Sequence, residues 1–439
     1  MNIQKFFEIA KAKGIDESQL QISKNSSFSV SLFKHEIEKY EASDSQRIVA
    51  CGVYKGKFGS ARTEKLGPDT FEYLIEQIIL SASKIEKEEE FDLFKGSEKY
   101  HKKNIYNKAL PEIPATEKVA LLRELENKTY AIDERVTEVE ASYEESESSS
   151  EFHNSHGLHL KEKGNSFFIG TSAVIRDGKE IKNNFDYILD SDYSKIDIDA
   201  LAHKAVEGAV KKLGGESIES KKYPVVLANR VATSFIGYFL SAAIADSVQR
   251  HSSFLEGKLN TKVASSKVTI EEKPLKKNIF FSYFDDEGVA TYNKPVVKKG
   301  VLATYFYNRE TAKKDGVSST GNGSWAGTKI GTSFTNVFVK PGKSSFEEMI
   351  APIEEGVFIT DIMGLGTGMN GSSGDFSCQA EGFFIKGGKI VKPVTLITLS
   401  GNLLKMFKDV KALDNETRMG FSGISCPNIY IKSMNIGGK

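Results

Sequence analysis

Residues 381–402 read EGFFIKGGKIVKPVTLITLSGN. Apolar, β-branched and aromatic residues fill short runs here, and glycine marks the turn between them, which is strand and not helix punctuation. The same texture recurs upstream, in KKGVLATYFYN (298–308), TSFTNVFVKPG (332–342) and GVFITDIMG (356–364). This strand-rich half opens with one strand, YPVVLA (223–228), and one apolar helix, ANRVATSFIGYFLSAAIADSVQ (228–249). Strands segregated from helices, with few βαβ alternations, make the fold class α+β and not a doubly wound sheet.

The N-terminal half has a different texture. Ile3, Phe6, Phe7, Ile9 and Ala10 fall at helical spacing before Gly14. Alternating segments follow from Gln19 to Arg62, with Asn25, Asp44, Gly56 and Lys57 where turns belong, and then a helix bearing Phe71, Leu74, Ile75, Ile78 and Ile79. A second cycle runs from a helix near 115–128, through strands that turn at Asn154 to Gly157, to a helix near 197–213 that ends at Gly214-Gly215. The expected organisation is an N-terminal α+β region (1–220) made of two helix-meander units, then a larger strand-rich C-terminal domain (221–439). Charge-rich EKEEEFDLFKGSEKYHKKN (86–104) reads as a solvated linker extending to about residue 112.

The 439 residues carry 59 Lys+Arg and 59 Asp+Glu, a formal charge of zero, with 39% hydrophobic residues. That excludes wholesale disorder and supplies no basic footprint for direct nucleic-acid binding. The stretch from Val231 to Ala245 is too short for a bilayer crossing. The N-terminus has no long apolar segment of the kind that directs secretion. Three scattered cysteines do not make a disulfide framework. A cytoplasmic, membrane-free protein is the expectation.

Few motifs carry obvious chemistry. His153, His156 and His159 in EFHNSHGLHL are three apart, a spacing that alternates faces on a strand, and they read as a surface hairpin. His35-Glu36 lacks the second histidine that a zinc-peptidase helix needs. Gly366, Gly368 and Gly371 match G-x-G-x-x-G, but strand-like sequence follows where a dinucleotide site needs a helix. Asp285-Asp286-Glu287-Gly288 reads as a turn. Cys51 and Cys378 read as small buried hydrophobes, and Trp325 as a loop anchor or a binding contact.

Longer ordered segments carry a resemblance. SSFLEGKLN (252–260), VTIEEKP (268–274), FDDEGVATYNKPVVKKGVLATYFYNRETAKKDGVSSTGN (284–322), GVFITDIMGLGTGMNGSSGDFS (356–377) and GFFIKGGKIVKPVTLITLSGNLLKMF (382–407) resemble the TldD/PmbA family, also called modulators of DNA gyrase. Its TldD branch is similar to zinc peptidases that use a H-E-x-x-x-H helix and a later cysteine. Here the matching helix places Gly237 and Ala242 at the histidine positions and Tyr238 at the glutamate position, while Cys426 lies nearer the C-terminus than the ligand cysteine. The chain therefore resembles the PmbA/TldE branch. That resemblance implies no metal or cofactor in this chain, zinc in a TldD-like partner, a heterodimer with that partner or a homodimer, and a peptide or unfolded segment as substrate. It also marks Gly366, Gly368, Asn370, Asp375 and Phe376 as candidate peptide contacts or a family loop. A homo-oligomeric peptide-binding or regulatory protein without hydrolase activity is the alternative.

Overall fold

A computed structural model describes residues 2–86 and 92–439. Helix α1 (Ile3–Ala12) leads into strands β1 (Ile15–Phe33), β2 (Glu36–Tyr54) and β3 (Lys57–Thr63), and α2 (Thr70–Ser83) follows. The cycle repeats as α3 (Ala115–Ala131), β4 (Val136–Asn154), β5 (His159–Asp177), β6 (Glu180–Asp190) and α4 (Ile198–Val210). The two meanders join through β1 and β4 into one antiparallel sheet, ordered β3-β2-β1-β4-β5-β6. Buried Phe6, Leu20, Ile48, Phe71, Leu74 and Ile78 weld α1 and α2 to the first half. Leu122, Leu125, Tyr143, Phe167 and Leu201 pack α3 and α4 against the second. Gly59 lets α2 sit close on the sheet, because a Cβ there would fall 2.1 Å from the carbonyl oxygen of Ile78.

The strands are longer than the alternation suggests. Asn25 and Asp44 are not turns: they lie within the ladder, paired as Asn25 with Ser45 and Ser26 with Asp44. The outer part of this hairpin is exposed along β2, so polar residues there signal solvent and not a change of direction. The reversal comes at Lys34-His35, both at positive φ (51° and 67°), as a two-residue hairpin loop demands. The linker reading also needs correction. Residues 87–91 lie outside the described residues, but Leu93 and Leu110 beyond them are buried, and Tyr100 Oη donates to the Gly288 carbonyl at 2.6 Å. Leu93 packs with Val49, Cys51 and Trp325, and Tyr100 and Ile105 pack with Phe152 and Phe281.

The C-terminal half forms a ten-stranded mixed sheet, entered by β7 (Lys221–Leu227) and completed by the strand Ile424–Gly437, which pairs with β7. Helix α5 (Asn229–Ser241) follows β7 directly and lies on this sheet. Its apolar pattern continues to Gln249, yet the helix stops at Ala242 and a five-residue helix, Ala245–Gln249, takes over. Backbone pairing explains the break: Phe306 N–H donates to Ala243 O and Ala245 N–H to Phe306 O, which helix continuation would forbid. No helix among the described residues is long and apolar enough to cross a membrane. The mixed α+β class stands, with antiparallel sheet at the N-terminus and the larger strand-rich sheet after it.

Candidate functional site: a groove along helix α5

Val231, Ala232, Phe235, Ile236, Phe239 and Leu240 recur at helical spacing and bury one face of α5 in the C-terminal core. Arg230, Thr233 and Ser234 lie off that face and floor a groove at the N-terminal end of α5, while Tyr238, a turn further on, is partly buried against the core. One wall is Thr360–Ile362; further along the helix the glycine loop comes close, where a Cβ on Gly366 would lie 3.5 Å from Tyr238 Oη. The other wall is the 418–424 turn: a Cβ on Gly420 would lie 3.5 Å from Thr233 Cγ2, and one on Gly237 would lie 3.7 Å from Ile424 Cδ1. The N-terminal end of the groove meets β6 and opens into a cavity of about 510 Å³.

Charged and aromatic groups from both sheets converge in that cavity. Arg230, the only charge between Ala228 and Ala245, donates to Thr360 O at 2.9 Å and to Asp361 Oδ1 at 2.8 Å. It also reaches Phe185 O (3.4 Å) and Asn184 Oδ1 (3.3 Å) on β6. Lys212 approaches Asp361 Oδ2 at 3.0 Å. Burial alone would raise the pKa of Asp361, yet Arg230 and Lys212 hold it below the ordinary carboxylate value. On the far side Arg418 pairs with Asp186, donates to Tyr187 O at 3.2 Å and lies 4.5 Å from the Tyr187 ring centroid. Tyr187 stacks on Phe421 at 4.2 Å, and the exposed faces of Phe185 and Phe421 complete an aromatic shelf.

The glycine loop divides in its roles. Gly366 lies against Tyr238, and buried Phe376 packs 4.9 Å from Phe235. Gly368 is a steric necessity, since a Cβ there would sit 1.9 Å from Ser377 O. Asn370 accepts from the backbone N–H groups of Ser372 and Ser373. Asp375 accepts from Asn402 Nδ2 at 2.9 Å and Ser373 Oγ at 2.7 Å, which lowers its pKa. Asn370 thus bonds within its own loop, and Asp375 ties the loop to Asn402.

Gly237 and Ala242 have no side-chain donor, and Tyr238 offers a phenol whose neighbour is a glycine. This set does not fit a zinc ion held by two imidazoles with a carboxylate base. Cys426 is buried, with its thiol pKa pushed up by burial and by Asp414; Cys51 is likewise enclosed, and burial raises the Cys378 thiol to about 11. These values fit small buried hydrophobes and not reactive thiolates. Trp325 is anchored, its Nε1–H donating to Gln21 Oε1 at 2.8 Å. Asp285 closes its turn by accepting from the N–H groups of Glu287, Val289 and Gly323. His35 occupies the β1–β2 turn.

The histidine hairpin turns where its residues suggest. The turn falls at 154–158, so His153 and His159 are on different strands and face each other in register. Spacing along one strand is the wrong measure across a hairpin. The groove residues Arg230, Lys212, Asp361, Phe185, Tyr187, Arg418 and Phe421 were not legible as a set. The one signal was Arg230, a lone charge at the start of an apolar helix.

Two sheets meeting over an apolar helix, with an open cavity at its N-terminal end, define a two-part α+β protein. Family models described as the PmbA/TldA metallopeptidase central domain and C-terminal domain match residues 108–213 and 220–438. Metalloprotease PmbA of Escherichia coli O157:H7 is 26% identical over 98% of this chain and 94% of its own length. A metalloprotease of Methanothermobacter thermautotrophicus is 31% identical over 74% of this chain and 75% of its own. The crystal structure of a Thermotoga maritima protein described as a modulator of a DNA gyrase superposes with a TM-score of 0.91 at 27% identity, covering 99% of each chain. TldE of Thermococcus kodakarensis shares the fold (TM-score 0.91, 21% identity, 99% of this chain and 100% of that one). The chain belongs to the TldD/PmbA family.

Proposed function

We propose that this chain is a PmbA/TldE-like subunit of a TldD/TldE-type metallopeptidase complex acting on peptides or unfolded segments, and that hydrolysis belongs to a partner bearing the H-E-x-x-x-H helix. The observation that supports this reading is the open groove beside α5, on a helix whose Gly237, Tyr238 and Ala242 supply no ligand set for a hydrolytic zinc. An extended peptide suits such a groove, its apolar side chains on Phe185, Tyr187 and Phe421. Simple strand addition at β6 is hindered, because Arg230 and Arg418 already occupy the edge carbonyls of Phe185 and Tyr187. Recognition therefore runs through side-chain contacts, or through a peptide that displaces these arginines.

The test is reconstitution. The chain alone should leave an unfolded polypeptide intact, and a TldD-like protein from the same genome should bring hydrolysis with it, strengthened by this chain. Hydrolysis by the purified chain alone, surviving further purification, would overturn the reading. The groove is complete within one chain, which favours a second reading: a homo-oligomeric peptide-binding or regulatory protein without hydrolase activity. Stable homo-oligomers that bind peptide and ignore every such partner would support it.

A further inference from the structure

The end of the β4–β5 hairpin holds chemistry that the groove does not use. His153 pairs in register with His159, and Glu151 with Lys161. Directly opposed residues share a face of the sheet, as do residues two apart on one strand. Glu151, His153, His159 and Lys161 therefore form four corners of one patch. Phe152 and Leu160 point the other way, into a cluster with Phe281 and Phe284. On the patch side, β1 sets Leu20 opposite His153 and Ile22 opposite Glu151.

Three corners are metal-ligand types, and donor atoms of Glu151, His153 and His159 lie within 4.8 Å of one another, the only such trio among the described residues. The two imidazoles stack at 4.3 Å with planes 15° apart. His153 Nε2 is enclosed without a hydrogen-bond partner, 3.7 Å from Glu151 Oε2. An enclosed polar atom left unpaired is costly, and most such atoms in folded proteins have a partner.

We propose that Glu151, His153 and His159 form a zinc site, with water completing a tetrahedral set. Ligands about 2 Å from a tetrahedral zinc ion lie roughly 3.3 Å apart. Closing the 4.8 Å spread thus needs only side-chain rotation by exposed His159 and half-exposed Glu151. Two imidazoles and a carboxylate suit zinc better than magnesium or calcium, which take oxygen ligands. Lys161, now paired with Glu151, is exposed and can swing into solvent, giving up a weak surface ion pair. A bound ion would staple β4 to β5 beside their turn. The site is separate from α5, so it assigns no hydrolytic role to the chain, but it does depart from the expectation that the chain holds no metal.

The test uses the full chain stripped with a chelator, then titrated with zinc against a chromogenic competitor, with cobalt absorption reporting the ligand set. One equivalent should bind, with a nitrogen/oxygen cobalt spectrum. His159→Ala and Glu151→Gln should each weaken binding about tenfold or more, while Lys161→Met should tighten it by freeing Glu151. His156→Ala should change nothing, because His156 Nε2 pairs instead with Glu17 at 3.0 Å. Both ligand variants replace side chains at the surface of an intact ladder, and circular dichroism checks their fold. Binding indifferent to His159→Ala and Glu151→Gln, a sulfur-ligated cobalt spectrum, or less than one equivalent at saturation would overturn the site. Partner-dependent hydrolysis should be unchanged in His159→Ala, so failure here is distinguishable from failure of the proposed division of labour.

Discussion

The α5 groove and the β4–β5 hairpin end place potential ligands by opposite means. In the groove, one helix face determines what the floor presents, and here it presents Arg230, Thr233 and Ser234. Its charged and aromatic groups come from five segments, Lys212, β6, α5, Thr360–Ile362 and the 418–422 turn. At the hairpin, two adjacent strands in register bring Glu151, His153 and His159 together with no help from distant sequence. A site built by long-range packing should be fragile to substitution, whereas a site carried by a self-sufficient ladder should be nearly indifferent to it.

That contrast can be broken most decisively beneath the groove. Phe235→Ala empties a fully buried position against Phe376 and should cost about 3–5 kcal/mol, read from urea unfolding. A loss comparable to that of a surface substitution would mean that α5 is not set by this core. Arg230→Met is next. It removes charge-assisted bonds to Thr360 and Asp361 and the reach to β6, with an expected loss of about 2 kcal/mol near neutral pH. The Asp361 part carries a pH signature. Its pKa is lowered in the folded chain, so its contribution is present above the ordinary carboxylate pKa of about 3.9 and disappears as pH falls through the lower folded value. The gap between wild type and variant should therefore narrow in acid, and a pH-independent gap would contradict the ion-pair account.

On the hairpin the expected effects shrink and one changes sign. Glu162 on β5 is pushed up to about 7, mainly by burial, against the opposing pull of the Tyr283 N–H and the Ser282 hydroxyl. A raised folded pKa means that the native state holds the proton more tightly, so stability declines as pH rises from the unfolded value of about 4.3 towards 7. Glu162→Gln should thus stabilise by about 1 kcal/mol at pH 8 and bring little change at pH 4, measured by thermal unfolding across pH. Stabilisation greater in acid than in base would refute the assignment. His159→Ala without metal should be the mildest, within about 0.5 kcal/mol of wild type. A larger loss would show that the stacked imidazoles themselves hold the hairpin.

Local pattern made the helices legible, because apolar residues at 3.6-residue spacing need no knowledge of the rest of the chain. Alternation likewise revealed the strands, and the Asn154–Gly157 turn was readable from its residues. The errors share a cause. Asn25 and Asp44 resemble turn residues until a partner strand is known to run beside them, and α5 seems to reach Gln249 until Phe306 claims the backbone at its end. The segment after residue 91 seems solvated until Leu93 finds its cavity.

The sequence by itself determined the α+β class and the family resemblance, since each depends on residue types in order along the chain. Only the tertiary structure decided that Arg230 meets Asp361, that Gly366 shelters Tyr238 and that His153 faces His159. Such contacts depend on strand register and sheet packing, which place in contact residues far apart in the chain, as Gln21 and Trp325 are at 304 positions.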